Sequence, residues 1–126
     1  MLLEARNIER HFQAGATKIV ALARISTVID QGTFLIITGP SGSGKSTLLN
    51  ILSGLDTPSN GEVIFRGRPL STMDLQQRAQ LRNERFGFIF QTPHLLLDKT
   101  VLENTLLPFS YGMYIDRDTA ISRCLE

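Results

Sequence analysis

Tryptophan is absent from this sequence, cysteine occurs once, and neither sign of charge dominates. Each scarcity removes a class of explanation. A single thiol, Cys124, cannot close an internal disulfide, so this is no disulfide-stapled scaffold, and it suits a reducing compartment. Lys+Arg number 13 against 12 Asp+Glu, a formal net charge of +1, which gives no basic footprint for nucleic acid or anionic lipid. No apolar run approaches the ~18 residues of a membrane span. If the protein works at a membrane, a partner holds it there. The opening MLLEARN carries Glu4 and no long apolar core, unlike a signal peptide. Internal repeats and low-complexity tracts are also missing. What remains is 126 residues, enough for one small domain with a real core.

The chain is organised around FLIITGPSGSGKSTLLNIL, residues 34–52. Phe34 to Thr38 is a short apolar, β-branched run, the pattern of a strand buried on both faces of a parallel sheet. Gly39-Pro40-Ser41-Gly42-Ser43-Gly44-Lys45-Ser46, followed by Thr47, fits the phosphate-binding spacing G-x-x-x-x-G-K-S/T. Leu48, Leu49, Ile51 and Leu52 share one helical face, and Gly54 stands where a C-cap glycine belongs. The alternative is a glycine turn before an ordinary helix. Chance alone produces this spacing roughly once in a few hundred chains of such length, and the flanking strand and helix make it rarer.

The residue types suit polyphosphate. The glycines allow several backbone N–H groups to converge, and a helix beginning near Lys45 aims its positive dipole end at the same place. Lys45 supplies a point charge for the β- and γ-phosphates, and the Ser46 hydroxyl is a ligand for Mg²⁺.

Elsewhere the pattern predicts strands over Leu2–Phe12, Thr17–Leu22, Ile25–Ile29, Glu62–Phe65 and Phe86–Phe90. Asp56 to Gly61 is a dense turn cluster. Met73–Asn83 reads as a helix capped by Asp74, with Leu75, Ala79 and Leu81 as apolar points. Thr100 to Glu103 has capping-box spacing and starts a helix that Pro108 should stop; the tail after Ile115 is weakly helical. His94-Leu95-Leu96-Leu97-Asp98 mimics an apolar strand ending in aspartate, but it follows Gln91 too closely, across Pro93, to be a separate strand with its crossover.

The stretches VALARISTVIDQGTFLIITGPSGSGKSTLLNILSGLDTPSNGEVIFRG and FGFIFQTPHLLLDKTVLENTLLPF resemble the N-terminal part of an ABC-type ATPase, over about Leu2 to Phe109. LRNERFGFIFQ and TVLENTLLP are most similar to the subfamily of lipoprotein release, macrolide export and antimicrobial-peptide export. The resemblance implies an α/β P-loop NTPase core of ABC type with an antiparallel β subdomain. Residues 1–92 would hold the β subdomain and P-loop core, and 93–126 the start of a helical subdomain. It implies binding of ATP and Mg²⁺ by residues 39–47, with Ser46 and Gln91 at the metal and Phe12 stacking on adenine. Read without the resemblance, Gln91 is a polar residue ending a strand and Phe12 an ordinary core aromatic. Implied partners are membrane-spanning transporter subunits and a second ATPase subunit, with no nucleic acid; the implied location is the cytoplasmic face of the membrane. His11 and His94 match no switch histidine and read as surface residues.

No LSGGQ-like signature, no Walker B aspartate with its glutamate and no switch histidine occurs in these residues. Phosphoryl transfer depends on positioning and electrostatics, so the expectation is a truncated ATPase that binds Mg-ATP without hydrolysing it alone. A non-catalytic nucleotide-binding or docking module is the alternative. A small-molecule kinase would need an acceptor site and an arginine-rich lid, where 91–109 offers a glutamine-loop pattern instead.

Overall fold

Two long strands open the chain. In the computed structural model, which describes residues 1–111 and 116–125, β1 (Leu3–Ala14) and β2 (Thr17–Ile29) form an antiparallel hairpin. The expected separate strands at Thr17–Leu22 and Ile25–Ile29 are one strand. Register shifts between Ala5/Ile8 and Arg10/His11, with Asn7 and Arg24 at φ 49° and 48°, bend it without breaking it. β3 (Asn60–Phe65) pairs with the other edge of β1, and the short β4 (Arg68–Pro69) pairs with β3. The order is β2-β1-β3-β4, antiparallel throughout. Arg66 and Gly67, both at positive φ, close the β3–β4 turn in the primed geometry that matches strand twist. That turn and the 3-10 turn at Leu70–Thr72 had no sequence expectation.

Gly61 is fixed by its neighbours. Its φ is 81°, and a Cβ there would run into the carbonyl oxygens of Arg6 and Asn7 on β1. Only glycine lets β3 lie this close to the bulge of β1.

Leu3, Ala5, Val63 and Phe65, paired across β1 and β3, are buried on one face of the sheet, and Ile64 is buried on the other. Ile8 and Leu22 are buried as well, and α1 (Lys45–Leu52), which meets β1 and β2, adds Leu48, Ile51 and Leu52. Leu49 departs from the expected apolar face and is 54% exposed. Gly54, at φ 70°, ends the helix with its N–H on the Ile51 carbonyl at 3.1 Å, as a C-terminal glycine should.

The largest departure concerns the expected buried strands. No strand forms over Phe34–Thr38 or Phe86–Phe90 among the described residues. Phe34 is 89% exposed, Ile36 67% and Ile89 wholly exposed. The second run is nonetheless extended: the rings of Phe86, Phe88 and Phe90 stack at 6.4 and 5.6 Å, as side chains two apart on one strand face do. Propensity sets the local conformation, and without a lateral neighbour among the described residues no ladder forms.

The chain divides into two compact units, Met1–Arg78 and Ala79–Glu126, at a boundary inside α2 (Leu75–Arg85). Asp74 caps α2, accepting from the Gln77 N–H at 2.8 Å while the Gln77 amide oxygen accepts from the Asp74 N–H at 3.3 Å. The expected apolar points fail there: Leu75 and Ala79 are exposed, and α2 buries no residue.

In the second unit, Thr100 and Glu103 form the capping box, with the Thr100 N–H on Glu103 Oε2 at 2.8 Å and the Glu103 N–H on Thr100 Oγ1 at 3.2 Å. Pro108 does not stop α3 (Val101–Tyr111). The helix runs through it, and the Pro108 carbonyl accepts from Asn83 Nδ2 at 2.9 Å, so the cost is one missing N–H donor rather than termination. α4 (Arg117–Leu125) is a helix capped by Asp116. Asp116 accepts from the Thr119 hydroxyl at 2.6 Å and from the Asp118 and Thr119 N–H groups.

Candidate functional site at the start of α1

The loop Gly39–Gly44 leads directly into α1, and its backbone takes values that favour glycine: φ is 150° at Gly39, 79° at Gly42 and 88° at Gly44. Gly44 is also sterically required. A Cβ on it would lie 2.5 Å from the Ala21 carbonyl oxygen and 2.8 Å from Leu22 Cδ2, so β2 presses against the helix start. Ser43 donates its N–H to the Pro40 carbonyl at 3.3 Å, which closes the loop into a ring of backbone.

Lys45 folds back onto that loop. Its Nζ donates to the carbonyl oxygens of Gly39 at 2.9 Å and Pro40 at 2.7 Å, with Ser43 Oγ at 3.5 Å. The ammonium is therefore held over the loop by neutral acceptors, with no ion-pair partner among the described residues.

The helix end beneath it is open in the same sense. No side chain caps α1, no acid stands in its first turn, and its first intrahelical bond runs from the Leu48 N–H to the Gly44 carbonyl at 2.8 Å. The preceding amides of Lys45, Ser46 and Thr47 have no acceptor within the helix, as at any helix start. Backbone donors, a helix dipole and one ammonium thus converge, the donor set that an anion with several oxygens requires. Ser46 is exposed at this end.

Phe12 lies beside this region rather than in the core. It pairs with Ile19 across the hairpin, two residues before Ala21 meets the loop, about 7 Å along the strand. Its side chain is 41% exposed, and the Arg10 guanidinium sits over the ring with Cζ 4.7 Å from the centroid. His11, expected at the surface, is part-buried, with Nε2 3.4 Å from Glu9 Oε2. Glu9 also receives the Arg24 Nε–H at 3.1 Å, and that bond holds its carboxyl below the usual range.

Gln91 belongs to the second unit and is exposed in a bend after Phe90. The His94–Asp98 run is a loop with a turn at Leu97-Asp98, not a strand. Asn104 of α3 pins it, accepting from the Leu96 N–H at 2.8 Å and donating to the Leu96 carbonyl at 3.0 Å. His94 packs edge-on to Phe90 at 4.8 Å. Sequence reasoning passed over Arg10, whose guanidinium lies over the Phe12 ring, and Asp56, which is ion-paired to that guanidinium at 3.0 Å. They are far apart along the chain, and no spacing marks them.

Residues 22–126 match the ABC transporter family. The fold is similar to that of the ATP-binding cassette MJ0796 in a dimeric post-hydrolysis state bound to ADP and Pi, with a TM-score of 0.89 and 35% identity over 98% of this chain. A second dimeric structure of MJ0796, described as a bacterial ABC transporter cassette, matches with the same TM-score and identity. In both cases this chain spans 54% of the length of the cassette.

Proposed function

The chain belongs to the ABC transporter family, and from that premise we propose that Gly39–Thr47 binds Mg-ATP on behalf of a membrane transporter. The fold is of the ABC ATPase type with an antiparallel β sheet. The observation that carries the proposal is Lys45, held over the loop by the Gly39 and Pro40 carbonyls above an uncapped helix start. This geometry supports a site for the β- and γ-phosphates at the loop.

Within this reading the Ser46 hydroxyl would be a ligand for Mg²⁺, which supplies positive charge against the phosphates when bound, and the same role is proposed for Gln91 from the family resemblance alone. Phe12 offers its exposed ring surface to the adenine. The finer assignment is to the subfamily of lipoprotein release and of macrolide and antimicrobial-peptide export, working as a dimer with a second ATPase subunit at the cytoplasmic face. No helix among the described residues is long and apolar enough to cross a membrane, so membrane-spanning subunits would hold the protein there. Residues 1–92 would serve nucleotide and 93–126 begin the helical part. The exposed leucines 95–97 and the start of α3 provide apolar anchors for coupling, and crosslinks confined to α2 would place that surface elsewhere.

Calorimetry tests the site. Lys45→Ala should weaken Mg-ATP binding by roughly a hundredfold, since it removes a charge-assisted donor aimed at the phosphates. Equal affinity in the two proteins would overturn the assignment. The 126 residues alone should bind without turnover above background, because they carry neither signature nor Walker B glutamate. Lys45-dependent hydrolysis in a pure preparation would refute that part.

A further inference from the structure

We propose that Arg10 is a positioning residue for the nucleotide base. Clamped by Asp56, its guanidinium backs one face of the Phe12 ring and holds the ring ready for adenine on its exposed side. The inference rests on the reading of Phe12 as the stacking residue.

Arg10 and Phe12 are two apart on β1 and so share a strand face. Arg10 Nη2 lies 3.0 Å from Asp56 Oδ1, and Arg10 Cζ lies 4.7 Å from the ring centroid. The side chains of this pair are only 22% and 29% exposed, so solvent screens them less than an open surface pair. Arg10 Nε is buried and finds no partner among the described residues, which leaves the ion pair and the ring as its anchors. Asp56 is itself fixed. Its Oδ1 accepts from the Thr57 N–H at 2.7 Å, and its own N–H reaches the Asn50 carbonyl of α1 at 3.1 Å. The helix that presents Lys45 at its start therefore sets Asp56 near its end, and through Asp56 and Arg10 the orientation of Phe12. One rigid element serves both the phosphate end and the base end of a nucleotide.

The energetic role is preorganisation. A ring that is 41% exposed and unsupported loses rotamer freedom when a base stacks on it. A guanidinium held over the ring removes that freedom in advance.

Calorimetric Kd values for Mg-ATP and for Mg-tripolyphosphate, which has no base, test the proposal on the full chain. Phe12→Ala should weaken ATP about tenfold and leave tripolyphosphate unchanged. Arg10→Ala and Asp56→Asn should each weaken ATP roughly threefold, again without effect on tripolyphosphate. These two variants change local charge in opposite directions, so a purely electrostatic role would give effects of opposite sign. In the Phe12→Ala background Arg10→Ala should have no further effect. Equal weakening of both ligands, an undiminished Arg10→Ala effect without the ring, or no Arg10→Ala effect where Phe12→Ala has one would each overturn the proposal. If Phe12→Ala leaves ATP binding unchanged, the stacking reading falls, and the inference with it. Asp56→Asn keeps the question answerable if Arg10→Ala does not fold.

Discussion

Ile8 and Ile36 are the same residue in equally β-prone surroundings, and they meet opposite fates. Ile8 is fully buried in β1, with β2 on one side and β3 on the other, while Ile36 is 67% exposed in a run that forms no strand. The local sequence around Ile36 is the more apolar of the two. What separates them is company. β1 has a neighbour two residues away through a tight hairpin and a second neighbour in β3, whereas 34–38 has no ladder partner among the described residues. Strand propensity describes fitness for a pleated, half-buried surface, and the surface has to be supplied by other strands.

The sharpest way to break this comparison is to make one substitution in both places. Ile8→Ala should cost about 3 kcal/mol in urea unfolding, the usual range for emptying a buried aliphatic site. Ile36→Ala should stay within about 0.5 kcal/mol, since little of its surface leaves water on folding. Comparable losses at both positions would mean that 34–38 is covered in solution, and the contrast would disappear.

A second test asks what the exposed runs do. Apolar, extended segments without neighbours are templates for pairing with other chains. Ile36→Lys and Ile89→Lys together should therefore shift self-association, followed by light scattering during size-exclusion chromatography, to about tenfold higher concentration. If the unaltered chain is already monomeric at all concentrations tried, the two runs do not behave as open edges. Mg-ATP should stabilise the unaltered chain by binding only its folded form, without abolishing the association.

These contrasts also mark how far the sequence was legible. The glycine loop, the helix after it and the capping box at Thr100 could be read because each is a local device whose parts lie within a few residues. The strands of β1, β2 and β3 were visible as short runs between turn residues, but their pairing was not. Three features were not legible. Register and bulges depend on non-local backbone approach, so the continuity of β2 through Arg24 and the requirement for glycine at position 61 carried no local sign. Helix faces depend on what packs against them, which is why Leu49 and Leu75 were misplaced inside. The apolar runs at 34–38 and 86–90 had the composition of buried strands, but burial is a property of the partner as much as of the run. Around the candidate site the phosphate end could be read, because the motif is contiguous. The Asp56–Arg10–Phe12 support at the base end could not, because the fold alone joins those residues.

The smallest expected effect concerns acid. In the sheet, the Arg6 guanidinium bonded to Glu4 and the Arg24 guanidinium bonded to Glu9 hold both carboxyls below their usual range. At the start of α4, the Thr119 hydroxyl and N–H bonded to Asp116 hold that carboxyl down in the same way. A depressed carboxylate stabilises the fold at pH values above its ordinary pKa, 3.8 for aspartate, and the contribution fades as pH falls through the lower folded value. All three groups are thus protonated under acid, yet the consequence should differ. β1 keeps Leu3, Ala5 and Ile8 buried whatever its surface carboxylates do, whereas Ala120 is the one buried side chain among the described residues of α4. On acidification from pH 5 to about pH 3, amide exchange should therefore accelerate over 117–125 before it does over β1 and β3. Asp116→Asn should remove most of the pH dependence in α4, because asparagine can still accept the N–H bonds but does not titrate. Simultaneous loss in helix and sheet would show that the carboxylates, rather than the buried aliphatic face, are what keep the sheet together.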